Sequence, residues 1–249
     1  MKQTKINKGT FYLGDCMDLM KDTPDNFYEL AIVDPPYGIG LSDSKTGTVI
    51  KNKSDKELFK KKNWDNAIPD KIYFDELFRV SKNQIIWGGN YFLDILGYCK
   101  APIIWDKLNG KSLYADGEMA WTSSDNGLPR NLKIWRHQWC GCFRDSERDM
   151  NKNGFKIHPT QKPVALYKWL LKNYAKDGDK ILDTHGGSMS IAIAVHKMNT
   201  EENMNLTLDL VEIDEEYYEQ GIKRVQEQTK QNSLFDNNTS NCYNWYIKQ

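Results

Sequence analysis

An acid, two prolines and a tyrosine in a row, Asp34-Pro35-Pro36-Tyr37, follow four largely apolar residues, Leu30 to Val33. The apolar run reads as a buried strand, and the prolines mark its end. Asp34 brings an acceptor-only carboxylate and Tyr37 an aromatic face, both stiffened by two fixed φ angles. Together they form a rigid polar clamp for something flat. The same pattern also serves as an ordinary turn, so other stretches must define the guest.

A clamp at a strand end needs a sheet behind it. In open α/β sheets, ligands bind just outside the carboxyl edge of the strands. Residues 9–13 read as a short strand closing in Gly14-Asp15, with a helical turn after it that carries Met17, Leu19 and Met20. Further strands are expected at 84–87, 102–105, 118–122, 180–183 and 206–213, and helices at 73–80, 164–175, 191–198 and 215–228. Val164, Tyr167, Leu170, Leu171 and Tyr174 share one helical face; Tyr217, Tyr218, Ile222 and Val225 share another.

Two of these strand ends carry further chemistry. Thr184-His185-Gly186-Gly187-Ser188-Met189-Ser190 links strand 180–183 to an apolar helix. Such a loop lets backbone amides and a helix N-terminus meet a polar ligand. Glu212 and Asp214 close the strand about 30 residues further on, where an acid characteristically takes both hydroxyls of a ribose. Glu212 is the first choice and Asp214 the second, although surface acids need no function. Asp15 can equally be an acidic helix cap.

The clamp resembles the catalytic tetrapeptide of amino-methyltransferases, the S-adenosylmethionine (SAM) enzymes that methylate adenine N6 or cytosine N4 in DNA. His158-Pro159-Thr160-Gln161-Lys162-Pro163 matches the H-P-T-Q-K-P element of that family, which lies against the methionine end of the cofactor. Residues 183–190 resemble its D-x-x-x-G-S-G cofactor loop, with Asp183, Gly187, Ser188 and Ser190 in place. Met189 departs from it, standing where the second glycine is expected. If that position needs a positive φ, methionine imposes strain of order 1 kcal/mol or shifts the SAM pose. The order of elements, with the catalytic half before the cofactor loop, resembles the β group of DNA amino-methyltransferases.

The resemblance implies an α/β, Rossmann-like SAM methyltransferase fold: a mostly parallel twisted sheet with helices on both faces and inserted DNA-contacting loops. It implies Asp34, Pro35, Pro36 and Tyr37 as catalytic residues. The cofactor would be held by Asp15, accepting from its adenine amine with Cys16 packed nearby, and by His158, Thr160, Lys162, Asp183, His185, Gly187, Ser188, Ser190, Glu212 and Asp214. The implied activity is site-specific methylation of the N6 amine of a flipped adenine, as in restriction-modification. Cytosine N4 is the alternative, which serine in place of Asp34 would have favoured. An alternative of another class is a non-catalytic DNA- or clamp-binding protein with a degraded SAM site.

Composition fits this reading. With 249 residues, 39% hydrophobic and 27% charged, the chain is expected to form one domain, 1–249, of a water-soluble protein. No apolar run approaches the ~20 residues of a membrane span, and the start lacks a signal-peptide stretch, so the cytoplasm is expected. The five cysteines form no C-x-x-C pair, which argues against a disulfide framework and against a zinc ribbon, and no metal is expected. Net charge is zero, yet two basic stretches stand out. One is a mobile loop at 41–66, with Lys45, Lys51, Lys53, Lys60, Lys61 and Lys62. The other is a target-recognition insertion at 126–157, with Arg130, Lys133, Arg136 and Arg144. Either can be a solvated face; beside a base clamp they fit contacts to the phosphates of double-stranded DNA. The tail, 230–249, is expected to be flexible. Within it, Gln231-Asn232-Ser233-Leu234-Phe235 looks like the peptide by which bacterial replication proteins dock on the sliding clamp. A homodimer is the remaining partner expectation.

Overall fold

A computed structural model describes residues 1–40, 62, 65–110, 115–123, 131–138 and 157–230. Within them, nine strands form one sheet in the order β1-β2-β9-β8-β3-β4-β6-β5-β7. The strands are β1 (Lys2–Ile6), β2 (Gly9–Leu13), β3 (Leu30–Val33), β4 (Gln84–Trp87), β5 (Ile103–Asp106), β6 (Gly117–Thr122), β7 (Lys133–Arg136), β8 (Lys180–Asp183) and β9 (Thr207–Glu212). Five of the eight pairings are parallel, so the sheet is mostly parallel; only β1 with β2, and β6 with both β4 and β5, run antiparallel. The helices are α1 (Cys16–Asp22), α2 (Lys71–Val80), α3 (Leu93–Leu96), α4 (Val164–Tyr174), α5 (Ser190–Glu201) and α6 (Glu215–Gln228).

Strand alternation divides the core between two faces. Leu30, Ile32, Ile85, Trp87, Ile181, Leu208 and Leu210 pack with α4, α5 and α6. Ala31, Val33, Ile86, Leu182 and Val211 pack on the other side with α1 and α2. The central strands are buried on both faces, which is why they read as continuous apolar runs. Helix starts are set locally: Asp15 accepts from Met17 N (2.9 Å), Asp70 from Tyr73 N (3.2 Å) and Asp214 from Tyr217 N (3.0 Å).

The crossover after β3 runs through α2 to β4, and the crossover after β8 runs through α5 to β9, in the opposite direction along the sheet. Neighbouring strands β3 and β8 therefore diverge at their carboxyl ends. That divergence opens the crevice in which such sheets bind ligands.

Three elements depart from expectation, the short helix α3 among them. β1 is a strand although Lys2, Gln3, Thr4 and Lys5 offer little apolar patterning; it is an edge strand, turned back by Asn7 at φ 52. Within the segment expected to be irregular, β7 runs parallel to β5 as the opposite edge of the sheet. On α6, Gly221 and Arg224 take buried places, while Ile222 is only partly covered.

Candidate functional site

Four neighbouring strand ends line the carboxyl edge in the order β2, β9, β8, β3, and they present Gly14-Asp15, Glu212, the 184–189 loop and Asp34. Gly14 N donates to Glu212 O (3.0 Å), and Gly186 N donates to Val211 O (2.8 Å), so the loops at these ends are laced together.

At the β3 end, Asp34 is held by two donors. Tyr37 Oη donates to Oδ1 at 2.5 Å, and Lys162 Nζ donates to Oδ2 at 2.5 Å. Lys162 also lies 3.2 Å from Tyr37 Oη and 3.1 Å from Glu118 Oε2, and Glu118 in turn pairs with Lys107 at 2.5 Å. Positive and negative groups thus alternate from Lys107 to Asp34. Burial pushes the Asp34 carboxyl up, against the pull of Lys162. Burial likewise opposes the Lys162 ammonium, but Asp34 and Glu118 outweigh it and raise the group above its ordinary value. For Glu118, the two lysines overcome burial and hold the carboxyl down at about 2.

Tyr37 is shaped by its neighbours. A Cβ on Gly88 would stand 2.2 Å from the Tyr37 ring, so glycine after β4 makes room for it. Tyr91 stacks on the same ring (centroids 5.0 Å apart, 17° between planes). Asp65, buried, accepts from Tyr37 N (2.8 Å) and Gly38 N (2.9 Å), while its own carbonyl takes Gly40 N.

At the β8 end, Asp183 Oδ1 accepts from His185 N (3.0 Å). Burial lifts the Asp183 carboxyl to about 8, opposed by that amide and reinforced by the charges of Asp34 and Glu212. Burial holds the His185 imidazole down at about 4. A chain of hydroxyls, Tyr73 Oη to Thr184 Oγ1 (2.7 Å) and on to His185 Nδ1 (2.9 Å), ties α2 to this loop across the crevice. Glu212 Oε2 accepts from Gly187 N (2.6 Å) and Oε1 from Asp214 N (2.8 Å). A carboxylate offers about four acceptor sites, so two remain for a ligand. Glu212 is 7% exposed and has amides rather than a cation as its hydrogen-bond partners, a donor set that suits a vicinal diol. Ser188 Oγ and Ser190 Oγ are 3.1 Å apart, and Ser190 Oγ donates to Lys162 O (2.8 Å). The His158 ring sits edge-on to Tyr217 (4.4 Å) and beside Gly187, with Thr160 Oγ1 3.0 Å from its Nδ1. Cys16 is buried next to Asp15, and its thiol is pushed up to about 12, chiefly by burial.

Met189 takes the left-handed conformation expected of its position (φ 56, ψ 30). Its side chain is fully buried against Gly221 of α6, turned away from the loop's ligand side. The anticipated shift of the ligand pose has no steric cause there. Two other expected residues rest on partners that the sequence did not suggest. Lys162 stands on Asp34 rather than in the cofactor loop, to which only its carbonyl contributes. Lys62, expected on phosphates, closes on Asp214 (2.6 Å) and Glu216 (3.2 Å) over the Tyr217 ring, two carboxylates at the start of α6. That contact also occupies Asp214, which leaves Glu212 as the acid facing the loop. Lys133 and Arg136 lie on edge strand β7, where Arg136 is 3.4 Å from Asp106. Lys45, Lys51, Lys53, Lys60, Lys61, Arg130 and Arg144 lie outside the described residues, as do 231–235.

Sequence reasoning passed over Arg224, Asp65, Glu118 and Lys107. Arg224 Nη1 donates to Ser188 O (2.6 Å) and Ser190 Oγ (3.0 Å) and so fixes the loop from α6. The usable signal was a lone arginine on the apolar stripe of that helix.

A row of acids and amides beside a hydrogen-bond-accepting clamp, at the switch point of a doubly wound sheet, defines an α/β protein whose strand ends have the donors and acceptors that suit a nucleotide. Residues 28–223 match the N6/N4 methyltransferase family model, described as DNA methylase. The chain belongs to that family. The type II methyltransferase M.HinfI of Haemophilus influenzae is 25% identical over 76% of this chain, which spans 62% of that protein's length, less than two thirds. Among solved structures, PvuII DNA methyltransferase, a cytosine-N4-specific enzyme, superposes with TM-score 0.56 at 15% identity, covering 95% of this chain and 89% of that one. M1.HpyAVI, solved as a SAM complex, gives 0.50 at 18%, covering 86% and 98%. At these identities the likeness to solved structures is one of fold, and that fold is Rossmann-like.

Proposed function

We propose that this chain transfers the methyl group of SAM to the exocyclic N6 amine of an adenine extruded from a specific DNA sequence. The observation that carries the reading is Asp34, a carboxylate at the β3 end, beside a strand-end row suited to an elongated nucleotide. SAM supplies an electrophilic methyl group when bound. Glu212 would accept from the ribose hydroxyls, Asp15 from the adenine amine, and Asp183 and the 184–190 loop would hold the amino-acid end.

A duplex adenine is paired and unreachable, so the base must be turned out at a cost of a few kcal/mol. Tyr37 offers it a stacking face. The amine is a poor nucleophile because its lone pair is delocalised into the ring. Asp34 and the Pro35 carbonyl would each accept one N–H, aim the nitrogen, and stabilise its positive charge as it attacks. As the N–CH3 bond forms the S–CH3 bond would break, leaving the neutral thioether S-adenosylhomocysteine, and the strongly acidic cationic methylamine would pass its proton to water. Cytosine N4 presents the same edge and is the second reading; Asp34, rather than serine, favours adenine. The non-catalytic reading rested on Met189, whose side chain is directed into the core.

The basic stretches at 41–66, Lys62 apart, and at 126–157 are assigned to DNA phosphates, residues 231–235 to a sliding clamp, and the protein to the cytoplasm. A pull-down with purified clamp, comparing the chain with Leu234→Ala/Phe235→Ala, tests the clamp contact; retention of both or of neither refutes it. For the activity, Asp34→Ala is expected to abolish methylation while SAM still binds in calorimetry. DNA from an expressing host, sequenced for modified bases, should carry N6-methyladenine; undiminished methylation by the variant refutes the assignment of Asp34.

A further inference from the structure

Tyr37 Oη does two things at once: it donates to Asp34 Oδ1 (2.5 Å) and lies within reach of Lys162 Nζ (3.2 Å) as an acceptor. Asp34 and Lys162 are themselves 2.5 Å apart. The clamp therefore presents an acceptor and a donor side by side, and a single hydroxyl satisfies both. The amine edge of adenine has the same pattern, an N–H donor at N6 next to an acceptor ring nitrogen at N1; cytosine repeats it with N4 and N3.

We infer that Lys162 reads the target base by donating to the ring nitrogen beside the methylated amine, and that the Tyr37 hydroxyl holds that place until the base arrives. The inference rests on the proposed methylation of such an amine. Lys162 is suited to the task by what surrounds it. It is 5% exposed, so water cannot substitute for the bond it makes. An ammonium has three donors. One goes to Asp34 and one reaches the tyrosine hydroxyl that a stacking base would displace, while Glu118 Oε2 lies 3.1 Å away as an ion-pair partner of the ammonium. Lys107 holds Glu118 from behind, which makes Glu118 a positioning residue for the lysine. A base with a ring N–H beside an oxygen, such as thymine, would meet Lys162 with a donor and Asp34 with an acceptor. Both hydrogen bonds would fail, and discrimination follows without contact to the rest of the ring.

The test uses the full chain and duplexes carrying either adenine or 1-deazaadenine at the target position found by sequencing host DNA. The deaza base keeps the amine and replaces N1 by C–H. The wild type is expected to favour adenine by about 10- to 100-fold in kcat/KM, the range for losing a hydrogen bond to a charged donor. Lys162→Met should be slow on both and show a ratio near one, which separates the contact from the altered electronics of the deaza ring. Its SAM affinity should be unchanged, since the side chain does not reach the cofactor loop. Equal wild-type rates on the two duplexes overturn the inference, and so does a ratio preserved in Lys162→Met. If that variant fails to fold, Glu118→Gln replaces it, with a ratio reduced but above one expected and an unchanged ratio counting against. If the modified base is cytosine, 3-deazacytosine takes the analogue's place. Absence of methylation on unmodified DNA refutes the proposed function itself, and the inference with it.

Discussion

Met189 and Gly221 should behave as one unit. Met189 holds a left-handed φ of 56, which costs a side-chain-bearing residue about 1 to 2 kcal/mol relative to glycine. Its side chain is 0% exposed, and truncating a buried methionine costs about 2 to 5 kcal/mol. Met189→Gly relieves the first term and loses the second, so a net loss of about 2 kcal/mol is expected. Gly221 lies in the interior of α6, where a Cβ would stand 2.7 Å from Met189 Cγ and Sδ and 2.9 Å from Cε. Gly221→Ala should therefore destabilise the wild type by overpacking, typically about 1 to 3 kcal/mol less the helix gain. In the Met189→Gly background the same alanine enters vacated space, and its helix propensity should stabilise by about 1 kcal/mol. Urea unfolding of the four proteins measures the cycle, with an expected coupling of about 2 kcal/mol. Additive effects would refute the packing argument. SAM affinity should hold in Met189→Gly, because the side chain points away from the ligand side; a large change would show that the backbone there depends on methionine.

Three more outcomes can be checked directly. Arg224→Met removes the donors to Ser188 O and Ser190 Oγ, and leaving a buried carbonyl unpaired costs about 1 to 3 kcal/mol, so calorimetry should show SAM binding weakened roughly tenfold or more with the fold retained. Gly88→Ala places a Cβ 2.2 Å from the Tyr37 ring and should cut methylation sharply without changing SAM affinity, since the collision lies on the clamp side. His185 has a folded pKa of about 4 against the ordinary 6.5, so its stabilising contribution is complete above pH 6.5 and is lost as pH falls through 4; denaturation of His185→Asn across that window should show a shallower acid-side decline than the wild type.

Residues that act through their own strand were legible in the chain. β3, β4 and β8 are short apolar runs bounded by polar or turn residues, and their ends coincide with Asp34, Gly88 and Asp183 because a strand buried on both faces must stop where polarity begins. Residues that act through distant partners were not. Lys162 belongs by sequence to the segment before α4, but its ammonium answers to Asp34, 128 positions away, and to a glutamate on β6. Lys62 looked like one more cation in a basic stretch, yet the acids that hold it come from α6 and its cap. β1 escaped notice because an edge strand needs backbone partners more than an apolar face.

The hook formed by Asp65 has a consequence for how this protein can change over time. It joins Gly40 to the chain's return and grips the amides of Tyr37 and Gly38, so the departure and the re-entry of the intervening stretch are fastened to each other. Lengthening a stretch whose ends already meet costs little, about 0.6 kcal/mol for each doubling. The interval can therefore be rewritten wholesale, as a module, while Asp34 and Tyr37 keep their geometry.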